Sequence, residues 1–205
     1  MKKIIGLVII MILFSSTTYS QKMYVWCQED QKSTPRIAFL ENKEIDLVIF
    51  DSRILTEKSN VKCDSETIVD NLINLIVNTY PSANFNVLKG EKFYQNPQAD
   101  KLTIKISISA YHAAFGADVK VGIGSAGGKF SWGVFPECKW NSVTGYSVMI
   151  YNYSDGGKVK MTEEIGKIAS RPNTGGYRTA KNILNTAYIE ANQALFGFID
   201  KSLME

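Results

Sequence analysis

Lys101 to Tyr111 reads KLTIKISISAY, and the reading of this stretch decides the fold class. Leu102, Ile104, Ile106, Ile108 and Ala110 hold one parity, and Thr103, Lys105, Ser107, Ser109 and Tyr111 hold the other. Successive side chains of a strand point to opposite faces, so strict alternation predicts a β-strand with one face on a core and one face in water. His112, the only histidine, follows on the Ala110 side of that pleat.

Working upstream, EIDLVIFDSRIL (Glu44 to Leu55) is dense in Ile, Leu, Val and Phe and suits a buried strand. Between the two lies DSETIVDNLINLIVNTYP, in which Ile68, Leu72, Leu75, Ile76 and Thr79 share a face at helical spacing, with Val69 and Ile73 beside them. Asp64 or Ser65 can cap this helix, and Pro81 ends it by driving the preceding residue out of helical geometry. Asn84 to Leu88 returns as a strand, and MYVWC (Met23 to Cys27) is a candidate short one. Downstream, FSWGVF (Phe130 to Phe135) and YSVMIYNY (Tyr146 to Tyr153) read as further strands. Asp155-Gly156 in YNYSDGGKVKM supplies the positive φ angles of a tight hairpin. The chain closes on an amphipathic helix, RTAKNILNTAYIEANQALFGFIDKSL, striped by Ala180, Ile183, Leu184, Ala187, Tyr188, Ala191, Leu195, Phe198 and Ile199. The expectation is one α/β (α+β) domain over residues 44–205: a mixed or mostly antiparallel sheet with two amphipathic helices packed on one face. Gln21 to Lys43 is a segment of uncertain structure.

The first twenty residues, MKKIIGLVIIMILFSSTTYS, bear on the compartment. Lys2 and Lys3 precede an apolar run from Ile4 to Phe14, and small polar residues follow, the pattern of an export signal cleaved after Ser20. A span across a bilayer needs roughly 20 apolar residues, more than this run offers. Removing Lys2 and Lys3 takes the formal charge from +3 to +1, so a basic surface for nucleic acid is not expected. Cys27 follows the bulky Tyr24-Val25-Trp26, which argues against a direct lipid anchor. Cys27, Cys63 and Cys138 lack metal-ligand spacing; one disulfide of unspecified pairing suits an oxidising compartment.

Candidates for chemistry are few. Gly122, Gly124 and Gly127 spell G-x-G-x-x-G within VGIGSAGG, but no strand–turn–helix context surrounds them, so a β–β connection is expected and no nucleotide. His112 has no G-x-S-x-G serine and no recognisable nucleophilic cysteine to serve, which leaves a structural or surface role. Asp46, Asp51, Asp118 and Asp155 could pair in space as in a glycosidase, while NYSDGG offers too few ligands for calcium. Trp26, Trp132, Trp140 and the ten tyrosines could line a sugar-binding face, or serve as core and strand-surface residues. No catalytic, metal or cofactor residue is assigned.

The order of a strand ending in DSR, the helix ETIVDNLINLIV, the strand NFNVL and then ADKLTIKISIS resembles a group of bacterial envelope proteins. These carry a small α/β domain like that of the Tol-system periplasmic protein N-terminal domain, the curli-secretion channel subunit and penicillin-binding-protein activator lipoproteins. YSVMIYNYSDGGKVKM and the final helix are similar too, so the likeness runs from Ile45 to Leu203. It departs at the lipidated cysteine those lipoproteins carry. The resemblance implies a non-enzymatic, exported, periplasmic or secreted accessory protein, peripheral on the outer membrane, that works by contacting envelope proteins. A binding module for a small ligand or glycan is the alternative, and a carboxylate-dependent hydrolase the third reading.

Overall fold

The computed structural model describes residues 22–29, 31–36, 43–55, 57–91, 101–116, 138–154 and 157–204. The expected export signal, the VGIGSAGG glycines, FSWGVF, Asp118, Trp132 and Asp155-Gly156 lie outside the described residues. The elements are β1 (Met23–Val25), β2 (Glu44–Asp51), β3 (Asn60–Val61), α1 (Ser65–Thr79), β4 (Asn84–Lys89), β5 (Leu102–Phe115), β6 (Lys139–Ser154), β7 (Gly157–Pro172) and α2 (Tyr177–Met204). All seven strands form one mixed sheet. β2 runs parallel to β4 and to β5, α1 being the connection from β2 to β4. β5, β6 and β7 are antiparallel neighbours, as the expected hairpin requires, with Ser154 opposite Gly157. Sequence pattern stopped the last strand at KVKM; β7 continues to Pro172, because MTEEIGKIASRP pairs with β6 along its whole length despite lacking alternation.

Both helices share one core with β2, β5 and β6, which places them on the same face of the sheet. In α1, the Asp64 carboxylate accepts from the Thr67 N–H at 2.7 Å, satisfying a first-turn donor that the helix cannot, and Tyr80 closes the last turn before Pro81. Ile68, Val69, Leu72, Ile73, Leu75, Ile76 and Thr79 are buried, the expected face. The α2 stripe is also as expected apart from one position. Phe198 is only half-buried, and Phe196 is the inward aromatic, edge-on to Tyr80 at 6.0 Å. The Tyr80 hydroxyl donates to Asp200 at 2.7 Å, and this contact between the helices draws that side of α2 inward.

β5 corrects the opening expectation in two ways. Thr103, Ser107 and Ser109 are as buried as the isoleucines opposite them, so the second face is not wet there; Lys105 alone stays half-exposed. Alternation says which residues share a face, not whether that face is covered. Polar partners make the burial tolerable: Ser107 shares a hydrogen bond with Ser52, and Ser147, facing it on β6, donates to Glu164. The second correction is a bulge. Ile108 faces Tyr146 and Ala110 faces Gly145, leaving Ser109 as an extra residue. Beyond it the pattern is reset. Tyr111 and Ala113 join the helix-side core, whereas Ala110 and Ala114 form a small cluster with Val143 on the other face. Ala110 therefore does not share the face of Ile108. A Cβ at Gly145 would stand 3.0 Å from the Ser109 hydroxyl, so a side chain there requires Ser109 to give way.

The uncertain N-terminal segment is part of the sheet. β1 pairs antiparallel with β5 at Ala113 and Ala114, past the point where β2 ends, and parallel with β3. A disulfide joins Cys27 to Cys63, just ahead of α1, and Cys138 is a free, exposed thiol. Residues 26–29 and 31–36 lie against the two helices. Gln28 accepts from Asn71, Gln31 accepts from Asn192, and Arg36 pairs with Asp200.

Candidate functional site

At the end of the sheet where β1 takes the place of β2, five aromatic rings meet. Tyr24 on β1 lies opposite Ala113, whose small side chain leaves room above the strand. Phe115 and Trp140 face each other across β5 and β6, with ring centres 5.4 Å apart. Tyr24 stacks on Trp26 at 5.7 Å, meets Trp140 edge-on at 5.5 Å and touches Tyr177, the first residue of α2, at 5.1 Å. Trp140 is the buried anchor: its indole N–H donates to Asn173 at 3.0 Å, and the same Asn173 oxygen accepts from the Gly176 N–H at 3.1 Å. Gly176 has φ +55°, so the turn that brings Tyr177 into the cluster needs a residue at ease in the left-handed region. Outward of Trp140, Tyr24 and Trp26 are half-buried, Phe115 is 43% exposed and Tyr177 59%. The Tyr24 phenol is pushed up to about 12, first by its hydrogen bond with Tyr177 and then by burial.

The sequence nominated Trp26 and Trp140 as members of an aromatic face, and they belong to this cluster. Tyr24 and Tyr177 were nominated only among the ten tyrosines, and Phe115 was not named. Tyr24 and Trp26 carried a usable signal, two aromatics at i and i+2 on one strand face. Phe115 and Tyr177 reach the cluster only through pairing and helix placement.

The two carboxylate candidates among the described residues do not converge. Asp46 and Asp51 are five residues apart on β2, which sets their side chains on opposite faces. Asp46 accepts from Asn86 at 2.8 Å and pairs with Lys101 at 2.8 Å. Asp51 is gripped by the Arg53 guanidinium at 2.6 to 3.0 Å, and these bonds hold its carboxyl below the usual range although burial pushes the other way. His112 is buried on the face away from the helices, next to Ala110 and Ala114, and its Nε2 has no hydrogen-bond partner among the described residues. Burial, and secondarily the charge of Arg53, push its pKa down to about 4, so the ring is neutral near pH 7. Among the described residues no three His, Cys, Asp or Glu side chains converge as a metal site.

Two clefts flank α2. One, about 270 Å³, is lined by Gln28, Glu29, Gln31, Asn71, Asn74, Leu75, Asn78 and Tyr188. The other, about 490 Å³, lies between α2 and β7, where Met161, Ile165, Ala194 and Phe198 meet Glu163 and Lys201.

No protein-family model matches the chain, and no curated protein matches it. A solved structure described as "Crystal structure of uncharacterized protein" is similar over 82% of this chain and 99% of that one, at 9% identity and a TM-score of 0.39.

Proposed function

We propose that this chain is a non-enzymatic, exported accessory protein of the bacterial envelope that docks other proteins through the Tyr24–Trp26–Phe115–Trp140–Tyr177 cluster. The observation that carries this reading is the exposure of Phe115 and Tyr177 above a buried Trp140. Trp and Tyr set on a rigid base are the residue types that dominate the binding energy of protein interfaces. The leading segment, with its lysines and apolar run, supports export, and the Cys27–Cys63 disulfide suits an oxidising compartment. The test is affinity capture from intact envelopes with the wild type and with the Phe115→Ala/Tyr177→Ala variant. A specific protein retained by the wild type and lost by the folded variant supports the proposal; identical captures from both reject it.

A second reading, a site for a small hydroxyl-rich ligand such as a glycan, is favoured by the amide-lined cleft. Each Asn or Gln there offers both a donor and an acceptor, as a sugar hydroxyl does. Calorimetric titration with a saccharide panel, repeated on Asn74→Ala, separates this reading from the first.

A further inference from the structure

We infer that two copies of this chain pair through β7, antiparallel, with Ile165 facing Ile165 across a two-fold axis. Among the described residues β7 pairs only with β6, so its other side offers a row of backbone donors and acceptors along Gly157–Pro172. The charges on the strand select both the occupant and the register. With Ile165 at the centre, Glu163 stands opposite Lys167 of the second copy, twice by symmetry, Met161 opposite Ala169, and Thr162 opposite Ile168. A centre at Glu163 or Glu164 would set a carboxylate against its own copy; a centre at Thr162 would set Lys160 against Glu164, which already accepts from Ser147, and would place Met161 against Glu163. Glu163 is exposed and Lys167 half-exposed, and neither has an ion-pair partner among the described residues.

The helix layer fits the same arrangement. α2 packs chiefly over β6 and β7 and also reaches β5, so it lies toward this edge of the sheet. Paired strands stand about 4.8 Å apart, so joining the two β7 edges brings the α2 helices of the two copies side by side on one face of the joined sheet. The surface of α2 turned to that side carries Ala194 and Gly197, small enough for close approach, and the half-buried Phe198. Nothing stands within 4 Å of where a Gly197 Cβ would be. The cleft between α2 and β7 is thus the space beside which the helix of the second copy would pack.

Sedimentation analysis of the purified protein, with the Cys138 thiol alkylated so that it cannot cross-link chains, tests the pairing. The wild type should be a dimer. Glu163→Lys and Lys167→Glu should each weaken it by about tenfold or more, since each replaces two cross-strand attractions by two repulsions. The Glu163→Lys/Lys167→Glu double variant should recover the wild-type dissociation constant. Circular dichroism confirms folding, and either single variant suffices if the other misfolds. A wild type that stays monomeric at about 100 µM, single variants that dimerise as the wild type does, or a folded double variant that remains monomeric would each overturn the inference.

Discussion

Replacing His112 by leucine should remove a stability loss that the wild type suffers in mild acid. The folded protein holds this imidazole at about 4, against an ordinary value near 6.5 that it regains on unfolding. Between those values the unfolded chain binds the proton and the folded chain does not, so lowering the pH favours unfolding. The stabilisation is fully present above pH 6.5 and falls by about 1.4 kcal/mol per pH unit below it, to a total loss of about 3 kcal/mol near pH 4. That is a large share of the roughly 5–15 kcal/mol of an ordinary domain. The carboxylates act elsewhere or in the opposite sense. Asp51 and Asp64 are held below 3.8, so their contribution disappears only under more acidic conditions. Glu164 is raised, chiefly by burial, and takes up its proton more readily when folded, which opposes the histidine slope. Urea unfolding followed by tryptophan fluorescence from about pH 7.5 to about pH 5, with the disulfide intact, measures the slope. The wild type should lose about 2 kcal/mol over this range, whereas His112→Leu should be flat or slightly rising. At neutral pH the variant should be at least as stable, because leucine leaves no unpaired buried Nε2. A wild type with no slope, or a variant with the same slope, would refute the reasoning.

The Cys27–Cys63 bond closes a loop of sequence separation 36, so Cys27→Ser/Cys63→Ser should lose about 3–4 kcal/mol in denaturant unfolding. Leu195 has no solvent exposure, and Leu195→Ala should cost about 2–5 kcal/mol; Lys181→Ala, which removes only the exposed 3.4 Å contact with Glu29, should shift the melt little. Truncation before Thr179 strips the whole α2 stripe from the core and should leave insoluble or molten protein, which solubility and near-ultraviolet dichroism would reveal. Within the aromatic cluster, Trp140→Ala should cost about 3–5 kcal/mol by thermal melt, while Tyr177→Ala, already exposed, should cost less than about 1 kcal/mol.

The fold was largely legible because its main signals are periodic. The α1 face and cap, the KLTIKISISAY strand and most of the α2 stripe follow from spacing alone. The misreadings come where a neighbour decides. Phe196 displaces Phe198 because Tyr80 and Asp200 meet there, and β7 outruns KVKM because β6 supplies a ladder that its own composition does not advertise. Ser107 and Ser109 looked wet because hydroxyls are polar, yet Ser107 is buried with Ser52 as its partner and Ser109 is buried in the bulge. The candidate site was less legible still. Its five rings come from four elements and a following loop residue, spread from Tyr24 to Tyr177, and no local pattern links such distant positions.

The extra residue at Ser109 also determines how this strand tolerates deletions. Ile108 faces the helices, Ala110 faces away and Tyr111 faces the helices again, so removing Ser109 alone would leave a regular alternation and turn no other side chain over. Deleting any single residue from Thr103 to Ser107 would instead invert every side chain on one side of the gap, moving isoleucines out of the core or hydroxyls into it. A related chain one residue shorter at this point would therefore keep the same sheet, and an alignment that forbade the gap would place half of β5 out of phase.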